Sequence, residues 1–470
     1  MPLSYAIEET VLPNGLRVVV NTDHAVPLVA VNLWVGVGAR HETPGRTGLA
    51  HLFEHLMFQG SANVAEGEHF AALLAEGARM NATTSFDRTN YFETVPRGAM
   101  ELALWLEADR HGGLLPALTQ ANLDNQRDVV KEEKRQRYDN VPYGDWLDVT
   151  FRLVFPPDHP YHHIPIGSMA DLDAATLADA QNFYRAHYRP SNTVLTLAGD
   201  VTAEEGFALA ERYFGHLVDP PAESVTVRPF VAALPPLPEP VSQVRAAEVP
   251  LERVYLAFRL PAANTEGFLA ATLALDVLGG LTASRLEKRL VRGEEVSTSV
   301  SAFALGLVEN TSLGVLIAEV AEGSAPEQVE RVMCEVLDSF ADEGPTSAEL
   351  EAANAQFERG WLSSLASLPE RADHIGQFTC LHDDPRGIET YVDRFAAITT
   401  EQVREVAARY LRSGHRATIT YVHADVPAEE QADQQADQQA DQHADVQADQ
   451  QADEQAGADE TDRDEREEQA

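Results

Sequence analysis

Gly48-Leu49-Ala50-His51-Leu52-Phe53-Glu54-His55-Leu56-Met57-Phe58 is the stretch on which the reading of this chain turns. Apolar residues at 49, 52, 53, 56 and 57 recur at i, i+3, i+4, i+7 and i+8, the spacing of one buried helical face. At about 100° per residue, His51, Glu54 and His55 gather on the opposite face. The i,i+4 spacing stacks both imidazoles on one side of the helix, where they can share one metal ion. Glu54 lies one turn from His51, close enough to take a proton from an attacking water. The alternative is an ordinary solvated polar face, but no lysine or arginine accompanies the two histidines. Only two cysteines, Cys334 and Cys380, occur in the chain, so a transition metal must be held by His, Asp and Glu.

A catalytic metal of this kind needs a third protein ligand. The acidic candidates lie in Leu123-Asp124-Asn125-Gln126-Arg127-Asp128-Val129-Val130-Lys131-Glu132-Glu133-Lys134-Arg135, a second helix whose buried side is expected from Leu123, Val129 and Val130. Composition does not select among Asp128, Glu132 and Glu133.

Outward from these helices, the chain divides. Seven prolines crowd into residues 219–240, a linker composition. Residues 431–453 repeat a Gln-Ala-Asp-Gln-like tetrad without aromatics, and from Pro427 onward 16 acidic residues face 2 basic ones. Such a tail cannot bury enough apolar surface to offset its ordering entropy, and is expected to be disordered. The two remaining halves look like repeats. Thr176 to Thr196 and Thr400 to Thr420 each bracket an amphipathic stretch followed by a strand-like run. Leu28-Val29-Ala30-Val31-Asn32-Leu33-Trp34-Val35 and Val254-Tyr255-Leu256-Ala257-Phe258-Arg259-Leu260 open the halves as strands, each followed by a helix. The expected class is α+β, as two homologous α/β-sandwich domains in tandem: residues 1–218 with the metal site, a linker over 219–240, a second domain over 241–426 and the acidic tail over 427–470.

Across about residues 6–425 the chain resembles the pitrilysin/insulinase (M16) family of zinc metallopeptidases, in the single-length form of the mitochondrial processing peptidase group. The resemblance rests on Leu12-Pro13-Asn14-Gly15-Leu16, Gly48 to Gly60, Asn81-Ala82-Thr83-Thr84 with Thr89-Asn90-Tyr91, Gln126 to Glu133, His159-Pro160-Tyr161 with Ile166-Gly167-Ser168, and Tyr188-Arg189-Pro190-Ser191-Asn192. It implies one zinc per chain on His51, His55 and Glu133, with Glu132 the fallback, and Glu54 as the base. It also implies that Asn81, Ala82 and Thr83 form a strand edge that pairs with an extended peptide substrate. Read on its own, that segment is equally an ordinary strand before a turn.

Three departures from the family pattern qualify the resemblance. Gln126 stands where relatives often carry Glu, seven residues before the third ligand. The second-half stretch Ala270 to Leu278 has no His or Glu, which implies a structural, substrate-enclosing role. The family's Arg and Tyr, seven residues apart, fall on Val291 and Thr298, with Arg292 one residue out of register. The chain is therefore expected to be the catalytic member of a heterodimer whose related, metal-free subunit supplies that pair, with a homodimer as the runner-up. The cluster His159, His162 and His163 reads as surface histidines on a Pro-Tyr-rich loop rather than a second metal site.

A net charge of −40 excludes nucleic-acid binding by phosphate neutralisation. No basic-then-apolar leader and no apolar run of about 20 residues are found, so the cytoplasm is the expected location, with no membrane partner. The reading is a zinc endopeptidase acting on peptides or short unfolded polypeptides. Its rivals are a catalytically idle scaffold subunit, which would need none of His51, Glu54, His55 and Glu133, and a zinc hydrolase of small amides.

Overall fold

The computed structural model describes residues 3–219 and 230–424. The acidic tail, and residues 220–229 of the proline-rich segment, lie outside the described residues.

Six strands make the first sheet: β1 (Ile7–Val11), β2 (Arg17–Thr22), β3 (Leu28–Val35), β4 (Arg79–Thr84), β5 (Thr89–Pro96) and β6 (Thr193–Gly199). Their order is β1-β2-β6-β3-β5-β4, with β2 and β6 parallel and the other neighbours antiparallel. The second sheet joins β7 (Val241–Ala247), β8 (Arg253–Pro261), β9 (Ser297–Leu305), β10 (Thr311–Val320) and β11 (Ala417–His423) in the order β7-β11-β8-β10-β9. Both strand-like openings read from sequence are central strands, β3 and β8.

β3 is buried at seven of its eight positions, because helices cover both faces of its sheet. That explains a near-continuous apolar run where a one-sided strand would alternate. One face packs on helices Met100–Gly113 and Ala203–Phe214, through Ala103, Leu104, Ala210 and Phe214. The other is covered by a helix from far down the chain, Leu368–His382, whose Ile375 and Phe378 meet Val19, Trp34 and Val194. Gly376 makes this approach possible: a Cβ there would lie 2.7 Å from the Trp34 ring. Asp373 of the same helix accepts hydrogen bonds at one oxygen from Asn32 Nδ2 (3.0 Å), Trp34 Nε1 (2.9 Å) and Asn90 Nδ2 (2.8 Å). In return, helix Trp146–Val154 packs on the second sheet: Trp146 stacks on Tyr255 at 5.3 Å, and Arg259 Nε donates to the Val154 carbonyl at 2.8 Å.

Beneath the first sheet lies a buried acidic pair. Glu107 is held by Arg110 and shares a hydrogen bond with Glu93. Burial, then the charge of Glu107, raises the Glu93 pKa well above the usual carboxylate range. A carboxyl kept protonated in the fold but ionised in the unfolded chain costs stability as pH rises above its unfolded pKa of about 4.3. Glu93→Gln keeps a donor for Glu107 without that cost. Differential scanning calorimetry is expected to show Tm raised by roughly 2–4 °C at pH 8, and by less at pH 5.

Candidate metal centre

Helix Leu49–Leu56 buries Leu49, Leu52, Phe53 and Leu56, and Met57 just beyond it, as the periodicity predicts. Its start is pinned by a residue that periodicity does not reveal. The fully buried Glu42 carboxylate accepts from Gly48 N (2.9 Å) and Ala50 N (2.7 Å), two of the backbone donors a helix leaves unpaired at its first turn. His163 Nε2 lies 2.8 Å from the same carboxylate. Gly48 adopts a φ of +86°, and a Cβ there would meet the Ile166 carbonyl at 2.8 Å, so the loop holding Ile166 and Gly167 presses directly on the helix start. The histidines of this loop are not surface groups. His159 is buried and stacks on Phe155 at 4.8 Å, while His163 is engaged with Glu42. A glutamate six residues before a helix-starting glycine was the available signal for Glu42, and loops of that length rarely make such a contact readable.

The second helix spans Gln120–Lys134, started by a Thr119–Asn122 capping box. Leu123 and Val130 are buried, but Val129 is 43 % exposed, because Gln126 takes the buried place that Val129 was expected to fill. Glu133 faces the histidines: its Oε2 lies 3.3 Å from His55 Nε2 and 3.7 Å from His51 Nε2. Glu132 turns outward and pairs with Arg135, and Asp128 is exposed. Among the described residues, His51, His55 and Glu133 form the one group of three or more His, Cys, Asp or Glu with ligand atoms gathered as for a metal, all within 4.8 Å of one another.

The arrangement fits one tetrahedral ion. Donors about 2.0–2.2 Å from such an ion stand about 3.4 Å apart, close to both separations. Burial, then the charge of His55, lowers the His51 pKa to about 4, so its imidazole is neutral and has a lone pair to give. Burial also opposes the charged form of His55, but the hydrogen bond and charge of Glu133 outweigh it and raise its pKa, with Gln126 adding a hydrogen bond. Burial works to raise Glu133, yet the two imidazoles hold it below the usual range. A cation placed among the three would displace the proton shared by His55 and Glu133, which leaves to solvent. Glu133 Oε1 is engaged by Arg137 at 2.8 Å, which leaves Oε2 directed at the imidazoles.

Glu54 stands beside the cluster. Burial raises its pKa, and a 2.6 Å hydrogen bond from Thr84 Oγ1 to its Oε2 opposes that shift. A cleft of about 700 Å³ opens over these groups, walled by β4 through Asn81, Ala82 and Thr83 and by Arg137 and Tyr138. β4 is the last strand of its sheet, so among the described residues no strand pairs with one side of its backbone. Val291, Arg292 and Thr298 do not line this cleft. Arg292 pairs with Glu287 and donates to the Thr282 carbonyl, and Thr298 bonds Glu319. The second-half counterpart of the metal helix, Glu266–Leu275, is buried on nearly every side.

Two histidines and a glutamate from two helices, with a second carboxylate beside them, are a donor set suited to a zinc ion. The family model described as "Insulinase (Peptidase family M16)" matches residues 17–143, which hold the cluster, and "Peptidase M16 inactive domain" matches residues 174–357. An uncharacterized zinc protease of Mycobacterium leprae, ML0855, is 30% identical over 416 residues, 88% of this chain and 92% of that protein. The zinc protease PqqE of Helicobacter pylori is 28% identical over 413 residues, with 88% and 92% covered. A crystal structure of a protease from Helicobacter pylori superposes with a TM-score of 0.82 over 90% of this chain and all of that one, at 27% identity. The chain belongs to the M16 peptidase family, with two tandem domains of that family's mixed α/β type. Among the described residues no helix is long and apolar enough to cross a membrane.

Metal analysis of two variants tests the ligand set. Glu133→Gln is expected to lose stoichiometric zinc, whereas Glu132→Gln retains one zinc per chain. Loss only in Glu132→Gln would move the third ligand by one residue.

Proposed function

We propose that this chain is a zinc-dependent endopeptidase acting on extended peptides, and that it is the catalytic member of a heterodimer. The observation that supports the first part is the convergence of His51, His55 and Glu133 beside Glu54 in a cleft edged by an unpaired strand. His51, His55 and Glu133 would hold the ion. Zinc bound there would bring the pKa of a water toward neutrality and polarise a carbonyl.

The chain's own residues supply the rest. Glu54 accepts the proton of the attacking water and passes it to the departing amine, which removes the cost of expelling an amide anion. Its carboxylate is aimed by Thr84, whose hydroxyl donates to Oε2, leaving the other oxygen for the proton. The single Thr84 hydroxyl proton goes to Glu54, whose Oε2 lies at 2.6 Å, rather than to Thr89 Oγ1 at 3.4 Å. Arg137 orients the Glu133 carboxylate from the outer side. The β4 edge, at Asn81, Ala82 and Thr83, offers backbone hydrogen bonds to a peptide laid alongside.

The second part of the proposal rests on the family pattern. Val291 has no donor, Thr298 is short and engaged elsewhere, and neither lines the cleft. A related subunit carrying an Arg and a Tyr would complete the stabilisation of the oxyanion. One observation favours a second reading, a homodimer that needs no such partner: Arg137 and Tyr138 already present a guanidinium and a phenol to the same cleft.

Two measurements test this. Glu54→Gln is expected to keep one zinc per chain and its melting temperature while peptide turnover falls by about 10²–10⁴. Near-native turnover in that metal-replete variant would remove Glu54 from the chemistry. The purified chain alone is expected to bind zinc yet degrade peptides poorly, with a metal-free relative from the same source restoring turnover at constant zinc content. Full activity from a preparation with a single polypeptide would select the second reading, and Tyr138→Phe would then lower it.

A further inference from the structure

A second cavity, of about 410 Å³, lies between the two halves of the chain and borders the metal cleft only at Ser85. β3 and the turn between β4 and β5 make its first-half wall, and helix Glu266–Leu275 with the end of β9 makes another. Helices Ser347–Ala366 and Leu368–His382 close the remainder, and exposed Gly306 marks its mouth. It is a space apart from the metal centre, and its polar lining is what distinguishes it.

Opposite charges taken out of water are ordinarily paired directly. Arg88 and Asp373 line this one cavity and attract one another, yet they form no ion pair. The Asn90 amide bridges them instead: its Oδ1 accepts from Arg88 Nη1 at 3.0 Å, and its Nδ2 donates to Asp373 Oδ1 at 2.8 Å. Each charge is thus fixed through one end and left open at the other. Asp373 Oδ1 takes three donors, from Asn32, Trp34 and Asn90, while Oδ2 accepts none among the described residues. Arg88 Nη1 is spent on Asn90 and on the Thr83 carbonyl and hydroxyl, while Nε and Nη2 donate to nothing among the described residues. None of these three open atoms is sealed from solvent.

The spacing of the two charges is therefore the span of one amide and two hydrogen bonds. An α-amino acid can bridge the same span from the cavity side, because its ammonium nitrogen and carboxylate oxygen are only one bond further apart than the nitrogen and oxygen of an amide. Its carboxylate would meet the guanidinium and its ammonium the Asp373 carboxylate, both as charge-assisted hydrogen bonds. The rest of the lining rewards an apolar side chain, through the rings of Trp34, Phe268, Trp361 and Tyr391. We infer that this cavity is a binding site for a free α-amino acid with an aromatic or large apolar side chain. The inference does not rest on the peptidase reading and is tested by binding alone.

Isothermal titration calorimetry of the full chain with L-phenylalanine, zinc-free and zinc-loaded, is the first measurement. One site per chain is expected, with the same Kd in both forms, since neither charge belongs to the metal cluster. Phenethylamine, which lacks the carboxylate, and 3-phenylpropionate, which lacks the ammonium, are each expected to bind about 10-fold or more weakly. Asp373→Asn keeps an acceptor for the three donors but removes the charge. It is expected to weaken L-phenylalanine about 10-fold or more without weakening 3-phenylpropionate. Ala304→Phe, which fills the cavity from the second half, is expected to abolish binding. No binding of L-phenylalanine at millimolar concentration overturns the inference. So does binding that requires zinc, which would place the ligand on the metal. Should Asp373→Asn fail to fold, the analogues decide on the native protein: equal affinity for L-phenylalanine and 3-phenylpropionate overturns the role of the charge pair.

Discussion

The buried Glu42 carboxylate sets where the metal helix begins, and the site follows from that placement. A carboxyl group with no solvent contact is tolerable only with its lone pairs filled, and here two helix N–H groups and His163 fill them. With the first turn anchored, the apolar face of Leu49–Leu56 locks into the core, and His51, Glu54 and His55 have one direction left to point. Loop, helix start and His163 therefore form one unit.

Much of this was readable from residue patterns. The i,i+4 histidines and the apolar stripe opposite them predicted the helix and the face that carries chemistry, because helical periodicity is local. β3 and β8 were legible as strands for the same reason. The third ligand was not, since it depends on how a second helix is rotated, and hydrophobic pattern misjudged that rotation at Val129. There, Gln126 is buried instead, drawn inward by its hydrogen bond to His55. Only the likeness to a family pattern put Glu133 ahead of Glu132. Glu42 and Thr84 were missed because each acts through a long-range contact that no spacing announces.

The two halves differ in what their equivalent helices do. Leu49–Leu56 keeps one face polar and pointed at a cleft, whereas Glu266–Leu275 is apolar almost all round and sinks into its own core. Polar groups are retained in the first half where burial penalises them, as the opposed shifts of His51 and Glu54 show. In the second half the equivalent helix carries no such pair, and the burial penalty falls just beyond it on Asp276, whose pKa is raised to about 7. One duplicated architecture thus spends its stability differently on its two sides, and the second sheet can serve as a firm wall against which the first half's cleft is held.

The covering of the first sheet by Leu368–His382 has a consequence for synthesis. The sheet is complete in sequence once Gly199 has emerged, but the helix that closes its second face begins about 170 residues later. At roughly 5–20 residues per second, the ribosome leaves Val19, Trp34 and Val194 uncovered for on the order of 10–30 s. The nascent chain in that interval carries a finished sheet with one bare, aromatic-bearing surface. Until residue 368 and its helix arrive, that surface is free to stick to other apolar surfaces, and a chain interrupted before then would be sticky rather than half-active.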